Sequence, residues 1–124
     1  MMTALTALRD KLALVTGVAT CKVGMESNMT PADYPMVRIV PSVIRDAPII
    51  GRRRCDVLVY FGQPILEFTG GLESLYASVF ALETALLEVA QATAGVYVEY
   101  VETVMDEDRV DAYKLCALRL VVQG

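Results

Sequence analysis

Apolar positions recur at helical spacing along residues 72–92, LESLYASVFALETALLEVAQA, which therefore form the longest predicted element of the chain. At about 100° per residue, the large side chains fall on one arc. This arc comprises Leu75, Val79, Leu82, Leu86, Val89 and Ala90, widened by Tyr76, Phe80 and Leu87. The opposite arc carries the small residues Ala77, Ala81, Ala85, Ser74 and Ser78, broken by polar positions. We predict that the first arc packs in the core. The second is either weak solvent surface or a contact with another molecule, because small side chains let another backbone approach closely.

Shorter patterns predict one further helix and five strands. Thr3 caps an amphipathic helix that runs to about Leu14. Its apolar stripe consists of Leu5, Leu8, Leu12 and Val15. Runs of β-branched and alternating apolar residues predict strands over residues 18–23, 36–41, 53–61, 96–105 and 112–122. Residues 24–33 form a loop, and an acidic turn beginning at Asp106 joins the last two strands into a hairpin.

The connection between the second and third strands, residues 41–51, has two interpretations. It is a plain loop, or its apolar residues extend the two strands into a protruding hairpin. These residues are Val43, Ile44, Ile49 and Ile50. In both cases the order is helix, three strands, helix, two strands. That order predicts a single α+β domain over residues 1–124, with a mixed or antiparallel sheet and both helices packed on one of its faces.

The strand at residues 53–61 has apolar side chains on both faces. Cys55, Val57, Val59 and Phe61 share one face, while Leu58 and Tyr60 share the other with Asp56. If both helices cover the first face, the second is left exposed, and contiguous exposed apolar patches tend to mark interfaces. Hiding ~800 Å² of such surface per subunit at ~25 cal/mol per Å² contributes about 20 kcal/mol before association costs. We therefore expect the chain to associate with copies of itself.

The composition strengthens this expectation. Hydrophobic residues make up 55% of the chain, against about 45–50% in typical soluble chains, and the mean hydropathy is +0.46. A membrane-spanning helix needs about 20 consecutive, largely apolar residues, whereas charged residues interrupt every apolar stretch of this chain. Arg9, Asp10 and Lys11 also break the N-terminal segment where a signal peptide is continuously apolar. We expect no membrane partner, so contacts with protein partners explain the apolar excess better.

The charge and the cysteine content limit the possible functions and the expected compartment further. The net charge of −4 argues against a broad nucleic-acid surface. The only basic run is Arg52, Arg53 and Arg54, which either contacts DNA or an acidic partner or simply solvates a hairpin. The three cysteines are dispersed and odd in number, at Cys21, Cys55 and Cys116. Because they lack the spacing of a disulfide framework or a metal site, we expect buried free thiols in a reducing compartment.

The chain offers little catalytic chemistry. It contains no histidine, which excludes Ser-His-Asp and Cys-His catalysis and histidine-based zinc sites. Calcium prefers oxygen ligands such as those of Asp106, Glu107, Asp108 and Asp111. Their spacing lacks the central glycine and terminal glutamate of an EF-hand loop, so a solvated turn is the favoured interpretation. We expect no enzymatic activity, no cofactor and no bound metal.

Glu83 is the one carboxylate near the middle of the large-residue arc of the long helix. An unpaired buried carboxylate is costly, so Glu83 must reach solvent, be protonated or meet a partner. An arginine of residues 52–54, in the same or a neighbouring subunit, is one possible partner. We favour a structural ion pair or an exposed helix margin over a catalytic acid. The complete set of interface candidates is Ala77, Ala81, Ala85, Leu58, Tyr60, Arg52, Arg53, Arg54 and Glu83.

Several segments, taken in order, give the chain a family resemblance. They are the N-terminal helix with LRDKLA, the segments ATCKVG and PADYPMVRIVPS, the late long helix, and the final strand YKLCALRLVV. Over essentially its whole length the chain resembles small phage tail terminator proteins, the tail-completion components that cap the tail tube and join it to the head. The resemblance implies a mixed α/β sandwich that closes into a hexameric ring around the tail channel, with no catalytic residues.

The resemblance also implies partners and a location. The partners are other copies of the chain, the tail-tube protein and the head-connector protein, with DNA only passing through the ring. The location is the virion tail of a phage or prophage, after assembly in the bacterial cytoplasm. Residues 41–54 and the turn at residues 106–111 would project from such a ring. Two alternatives stay open: another phage head-closure or assembly module, and a small α/β ligand-binding or enzymatic domain.

Overall fold

The structure, a computed structural model, describes residues 1–26, 28–48, 51–64, 71–105 and 113–124. It has two α-helices, a five-stranded sheet and one turn of 3-10 helix at Pro31–Asp33. The elements are α1 Met2–Leu12, β1 Thr20–Val23, β2 Met36–Asp46, β3 Arg53–Pro64, α2 Leu72–Gln91, β4 Tyr97–Met105 and β5 Tyr113–Gln123. This confirms the predicted α+β class and the predicted order of helices and strands.

The sheet is mixed, with the strand order β1-β2-β3-β5-β4. β1 runs parallel to β2, while β2–β3, β3–β5 and β5–β4 are antiparallel. The last two strands therefore form the predicted hairpin, but β5 lies inside the sheet and β4 lies at its edge. The acidic turn between them, including Asp106, Glu107, Asp108 and Asp111, lies outside the described residues.

The β2–β3 pairing is longer than the predicted strands. β2 continues past Pro41 to Asp46, because Val43 and Ile44 pair with residues of β3 after a bulge. The predicted extension of the two strands is thus confirmed for these residues, whereas Ile49 and Ile50 lie outside the described part. Within the described residues, β5 accompanies β3 as far as Arg54, so only the Asp46–Arg53 pair extends beyond it.

The core lies between the two helices and one face of the sheet. The long helix buries the centre of the predicted arc, with Leu75, Val79, Leu82, Leu86 and Ala90 all in the core. The prediction is wrong for Phe80, which is exposed at the margin of the arc, while Tyr76, Leu87 and Val89 are partly buried. The sheet contributes Val37, Ile39, Cys55, Val57, Val59, Phe61, Cys116, Leu118, Leu120 and Val122. These side chains alternate along β2, β3 and β5, so they point to one face, and both helices pack on that face. We call the opposite side of the sheet the open face.

The short helix ends earlier than predicted. α1 stops at Leu12, and a turn follows in which Leu14 is exposed while Val15 is buried. Gly17 in this turn has a φ of 93°, a conformation that glycine adopts at little cost. Neither described helix is long and apolar enough to cross a membrane.

Candidate interaction surfaces

One end of the open face is covered by the chain itself. Arg38 lies on this face of β2 with its side chain fully buried. Its guanidinium donates to Glu26 Oε1 from Nε at 3.1 Å, and to Thr20 Oγ1 and the Val37 carbonyl from Nη1 at 3.0 and 2.8 Å. Nη2 lies 2.8 Å from the same Glu26 oxygen. Arg38 therefore fastens the loop after β1 to the sheet.

Glu26 is itself held by a second cation. Lys22 Nζ donates to Glu26 Oε2 at 3.1 Å. The hydrogen bond from Lys22, with that from Arg38, lowers the pKa of Glu26. Tyr34, from the same loop, lies close to Gly62 on the neighbouring part of β3. This end of the open face is thus closed by residues of the chain and offers little free surface.

The other end of the open face carries three ion pairs. Arg45 pairs with Asp56, Arg54 Nη2 lies 3.1 Å from Glu99 Oε2, and Arg119 Nη1 lies 3.1 Å from Glu102 Oε1. Three of these charged residues, Arg45, Asp56 and Arg119, line a depression of about 430 Å³. Its lining comprises Ser42, Arg45, Asp56, Val57, Leu58, Val101, Arg119, Leu120 and Val121. The open face is therefore a mixture of ion pairs and apolar groups.

This mixture corrects the expectation of a bare apolar face. Leu58 and Tyr60, the two interface candidates on β3, are only partly exposed. On β5, Ala117 lies opposite Tyr60 and Val121 lies opposite Asp56, and both are buried. Neighbouring side chains and the fastened loop thus shield much of the apolar surface that the strand pattern predicts to be exposed.

The arginine run does not form one cluster. Arg54 is partly buried and pairs with Glu99, whereas Arg52 and Arg53 are exposed and form no ion pair with any described residue. Arg53 lies opposite Asp46 in the hairpin register. Arg52 and Tyr97 lie beside a separate depression. Two of the three cations are therefore available to a partner.

The small-residue arc of α2 is accessible. Ala77 and Ala81 are exposed, and Ala85 is partly buried. Ala81 and Ala85 line a groove of about 360 Å³ whose other wall includes Thr16, Gly17 and Pro35. Nearby, the Ser78 hydroxyl donates to Gln63 Oε1 at 2.7 Å, which fixes a polar group at the edge of the groove.

Glu83 lies at the margin of α2 that faces β4. Thr103 Oγ1 donates to Glu83 Oε1 at 3.1 Å, and the Tyr100 hydroxyl lies 2.7 Å from the same Thr103 oxygen. Thr84 Oγ1 is 3.5 Å from the other Glu83 carboxylate oxygen. Within the chain, Glu83 is therefore bonded to hydroxyl groups and not to an arginine of residues 52–54.

Most of the large exposed apolar side chains lie outside the interface candidates predicted from the sequence. Among the described residues, twelve large apolar side chains are prominently exposed, and five of them belong to β4. These five are Tyr97, Tyr100, Val101, Val104 and Met105. Two more, Val43 and Ile44, lie on the second half of β2. The exposed apolar surface is thus concentrated at the two edges of the sheet.

The described residues present no candidate metal site. They contain no group of three or more cysteine, aspartate or glutamate side chains placed to hold a metal ion. All three cysteines are free, with Cys55 and Cys116 buried and Cys21 partly buried. Burial raises the pKa of the Cys21 thiol to about 11 and also raises that of Cys55. Raised thiol pKa values are typical of structural cysteines, since the nucleophilic form is the thiolate.

A comparison with protein-family models finds no match to this chain, and a comparison with curated proteins finds none either.

Proposed function

We propose that this chain is a structural protein of a phage or prophage, which assembles into a ring that caps the tail tube and helps to join the tail to the head. The observation that carries the proposal is the apolar surface left on the folded chain. The core is filled by both helices, yet seven large apolar side chains stay exposed on β4 and the second half of β2. Such concentrations tend to mark protein interfaces.

The fold is compatible with the proposal. A sheet with two helices on one face is the type of architecture that the resemblance to tail terminator proteins implies. In the proposed mechanism, the ring docks on the last layer of the tail tube and stops its growth, and its other end receives the head connector. A cyclic ring needs a heterologous interface, in which two different patches of the chain meet.

Assembly into a ring is the first test. Native mass spectrometry and negative-stain electron microscopy of the purified chain should show six copies of the 13.5 kDa subunit, about 81 kDa, around a central opening. A chain that stays monomeric at high concentration would contradict the proposal.

Capping is the second test. We expect the ring to bind the ends of tubes polymerised from the tail-tube protein of the same genome and to stop their elongation, as measured by tube length in micrographs. A ring that ignores tubes but binds the head connector supports the alternative of a head-closure module. As the matched control, the ring is added to unassembled tube protein. We expect the ring not to bind this form as it binds the tube ends.

The small-residue arc of α2 supplies a separate test of where the ring contact lies. The Ala81→Arg substitution places a long cation in the groove beside Ala85 and Gly17 without entering the core, because Ala81 is exposed. If this arc is part of the interface, the variant should be monomeric by light scattering while its circular dichroism is unchanged. An unchanged assembly mass would remove the arc from the interface.

A second candidate function rests on the depression of about 430 Å³ on the open face. Its charged lining, with Arg45 and Asp56 paired inside it, would suit a small ligand that carries both polar and apolar groups. Under this alternative the chain is monomeric, and an Arg119→Ala substitution weakens ligand binding without changing the mass. The mass measurement above therefore separates the two candidates.

A further inference from the structure

We infer that neighbouring copies of the chain join edge to edge, with β4 of one copy pairing with the second half of β2 of the next. This inference rests on the proposed ring and specifies how the ring is held. It commits to a second copy of the chain as the partner of both edges.

The first observation is that β4 is a long edge strand with little protection. Edge strands present unpaired backbone N–H and C=O groups, and natural proteins protect them with lysine, proline, bulges or very short strands. β4 is nine residues long and contains no lysine, arginine or proline. A bulge at Val101 is its only interruption, and Tyr97 and Val101 are 77% and 54% exposed. No described strand pairs with its outer side.

The second observation is that the opposite edge of the sheet is only half covered. β1 pairs with four residues of β2, from Met36 to Ile39, and leaves the rest of that strand without a neighbour among the described strands. Within this uncovered half, Val43 and Ile44 are 49% and 46% exposed. Pro41 lacks an N–H group, so pairing is expected chiefly from Val43 onwards.

The two edges also lie at the same level of the sheet. Arg54 of β3 lies opposite Gln123 of β5 in the middle of the sheet. In the same row, Arg45 of β2 lies on the other side of Arg54, and Tyr97 of β4 lies on the other side of Gln123. The uncovered half of β2 therefore lies level with the first half of β4. In a ring, these two stretches meet without any displacement of one copy along the strands of the next.

Strand direction agrees with cyclic symmetry. Three antiparallel pairings separate β2 from β4, so these two strands run in opposite directions. All copies in a cyclic ring have the same sense along its axis. When the axis runs along the strands, β4 of one copy therefore meets β2 of the next in an antiparallel arrangement, and the pattern of the sheet continues from copy to copy.

The exposed charges favour the same partner. Arg45 and Arg54 are already paired with Asp56 and Glu99 within the chain, so the cations of the 41–54 hairpin that form no ion pair with a described residue are Arg52 and Arg53. β4 carries two glutamates, both paired within the chain, and no basic residue, so these cations meet no like charge on that edge. Bringing two copies of the hairpin together would instead place like charges close to each other, which is unfavourable for residues directly opposite each other.

Two double variants test the pairing. Tyr97→Lys with Val101→Lys disables the β4 edge, and Val43→Lys with Ile44→Lys disables the β2 edge, because exposed lysines are the protection that natural edge strands use. The control is Met2→Lys with Leu72→Lys, which adds the same charge at two exposed apolar positions on the helices. Circular dichroism verifies that each variant is folded, and native mass spectrometry gives the mass.

The expected result is specific to a heterologous contact. Each edge variant alone should be monomeric, the control should keep the wild-type mass, and an equal mixture of the two edge variants should form a dimer of about 27 kDa and nothing larger. The mixture retains one intact β4 and one intact β2 edge, which can pair only once.

Other outcomes would overturn the pairing. Edge variants that keep the wild-type mass show that another surface holds the ring, which leaves the proposed function intact. Dissociation of the β4 variant alone indicates a β4–β4 contact, and a mixture that stays monomeric shows that the two edges do not meet. A monomeric wild-type chain would overturn both the pairing and the proposed function.

Discussion

Gly62 lies where the backbone of β3 closely approaches neighbouring side chains on the open face. It lies on β3 between Met36 of β2 and Leu115 of β5. A Cβ atom at this position would lie 2.5 Å from Leu115 Cδ2, 3.0 Å from the Lys114 carbonyl oxygen and 3.5 Å from Tyr34 Cε1. The first distance requires movement of Leu115, and the second requires movement of the sheet backbone. We therefore expect Gly62→Ala to be destabilising.

The magnitude follows from two opposing terms. Overpacking of this kind costs about 1–3 kcal/mol. Replacing glycine by alanine in a strand otherwise gains about 0.5–1 kcal/mol, because the unfolded chain loses conformational freedom. The difference predicts a net loss centred on about 1 kcal/mol, and at most about 2.5 kcal/mol, in the free energy of unfolding. For a chain of this length a loss of about 1 kcal/mol corresponds to a lowering of Tm by about 4 °C.

The assay is a double-mutant cycle at one fixed protein concentration, since the proposed assembly would make Tm depend on concentration. The four proteins are wild type, Gly62→Ala, Leu115→Ala and the double variant. Because removing the Leu115 methyl groups relieves the closest contact, the double variant should be more stable than the sum of the single effects by about 1 kcal/mol. A stabilising Gly62→Ala substitution, or strictly additive effects, would refute the reasoning.

Two further predictions follow from the pKa shifts. The lowered pKa of Glu26, caused first by Lys22 and then by Arg38, means that its contribution to stability is present above its unfolded pKa of about 4.3 and is lost as the pH falls through the lower folded value. Tm of the wild type should therefore fall more steeply between about pH 5 and pH 3 than that of Glu26→Gln, and equal slopes would contradict this. The pKa of the Cys21 thiol, raised by burial to about 11, predicts slow reaction with Ellman's reagent near neutral pH in the folded chain and fast reaction in urea. Rapid modification of the folded chain that Cys21→Ser abolishes would be the contrary result.

The helices and the core were predictable because their signals are local. The apolar arc of residues 72–92 is a period within one segment, and its members Leu75, Val79 and Leu86 are buried where the period places them. The alternation in β3 likewise assigns Val57 and Val59 to the helix-covered face. A local period states which side chains share a face, whatever the rest of the chain does.

The surfaces were harder to predict because they depend on distant residues. Leu58 and Tyr60 have the pattern of an exposed apolar face, but Arg38 and Glu26 meet across twelve positions of sequence and fasten a loop over part of that face. The edge position of β4 was missed for a similar reason. A terminal hairpin can place either strand outside, and only the pairing of β5 with β3 decides it.

The two ends of the open face differ in how far the chain's own residues cover them. At the β1 end, contacts within the chain cover the face. The buried guanidinium of Arg38 has an acidic partner, and Tyr34 occupies the space above Gly62. At the hairpin end the ion pairs hold the strands together across the face, but they leave the backbone edges and their apolar side chains unpartnered among the described residues. The proposed pairing at those edges would add backbone hydrogen bonds and bury apolar surface while Arg45–Asp56 and Arg119–Glu102 stay in place on the face. A partner that docked flat on the open face would instead have to cover those charged pairs, and removing exposed ions from water is costly. Edge pairing is therefore the association that this arrangement of charges favours.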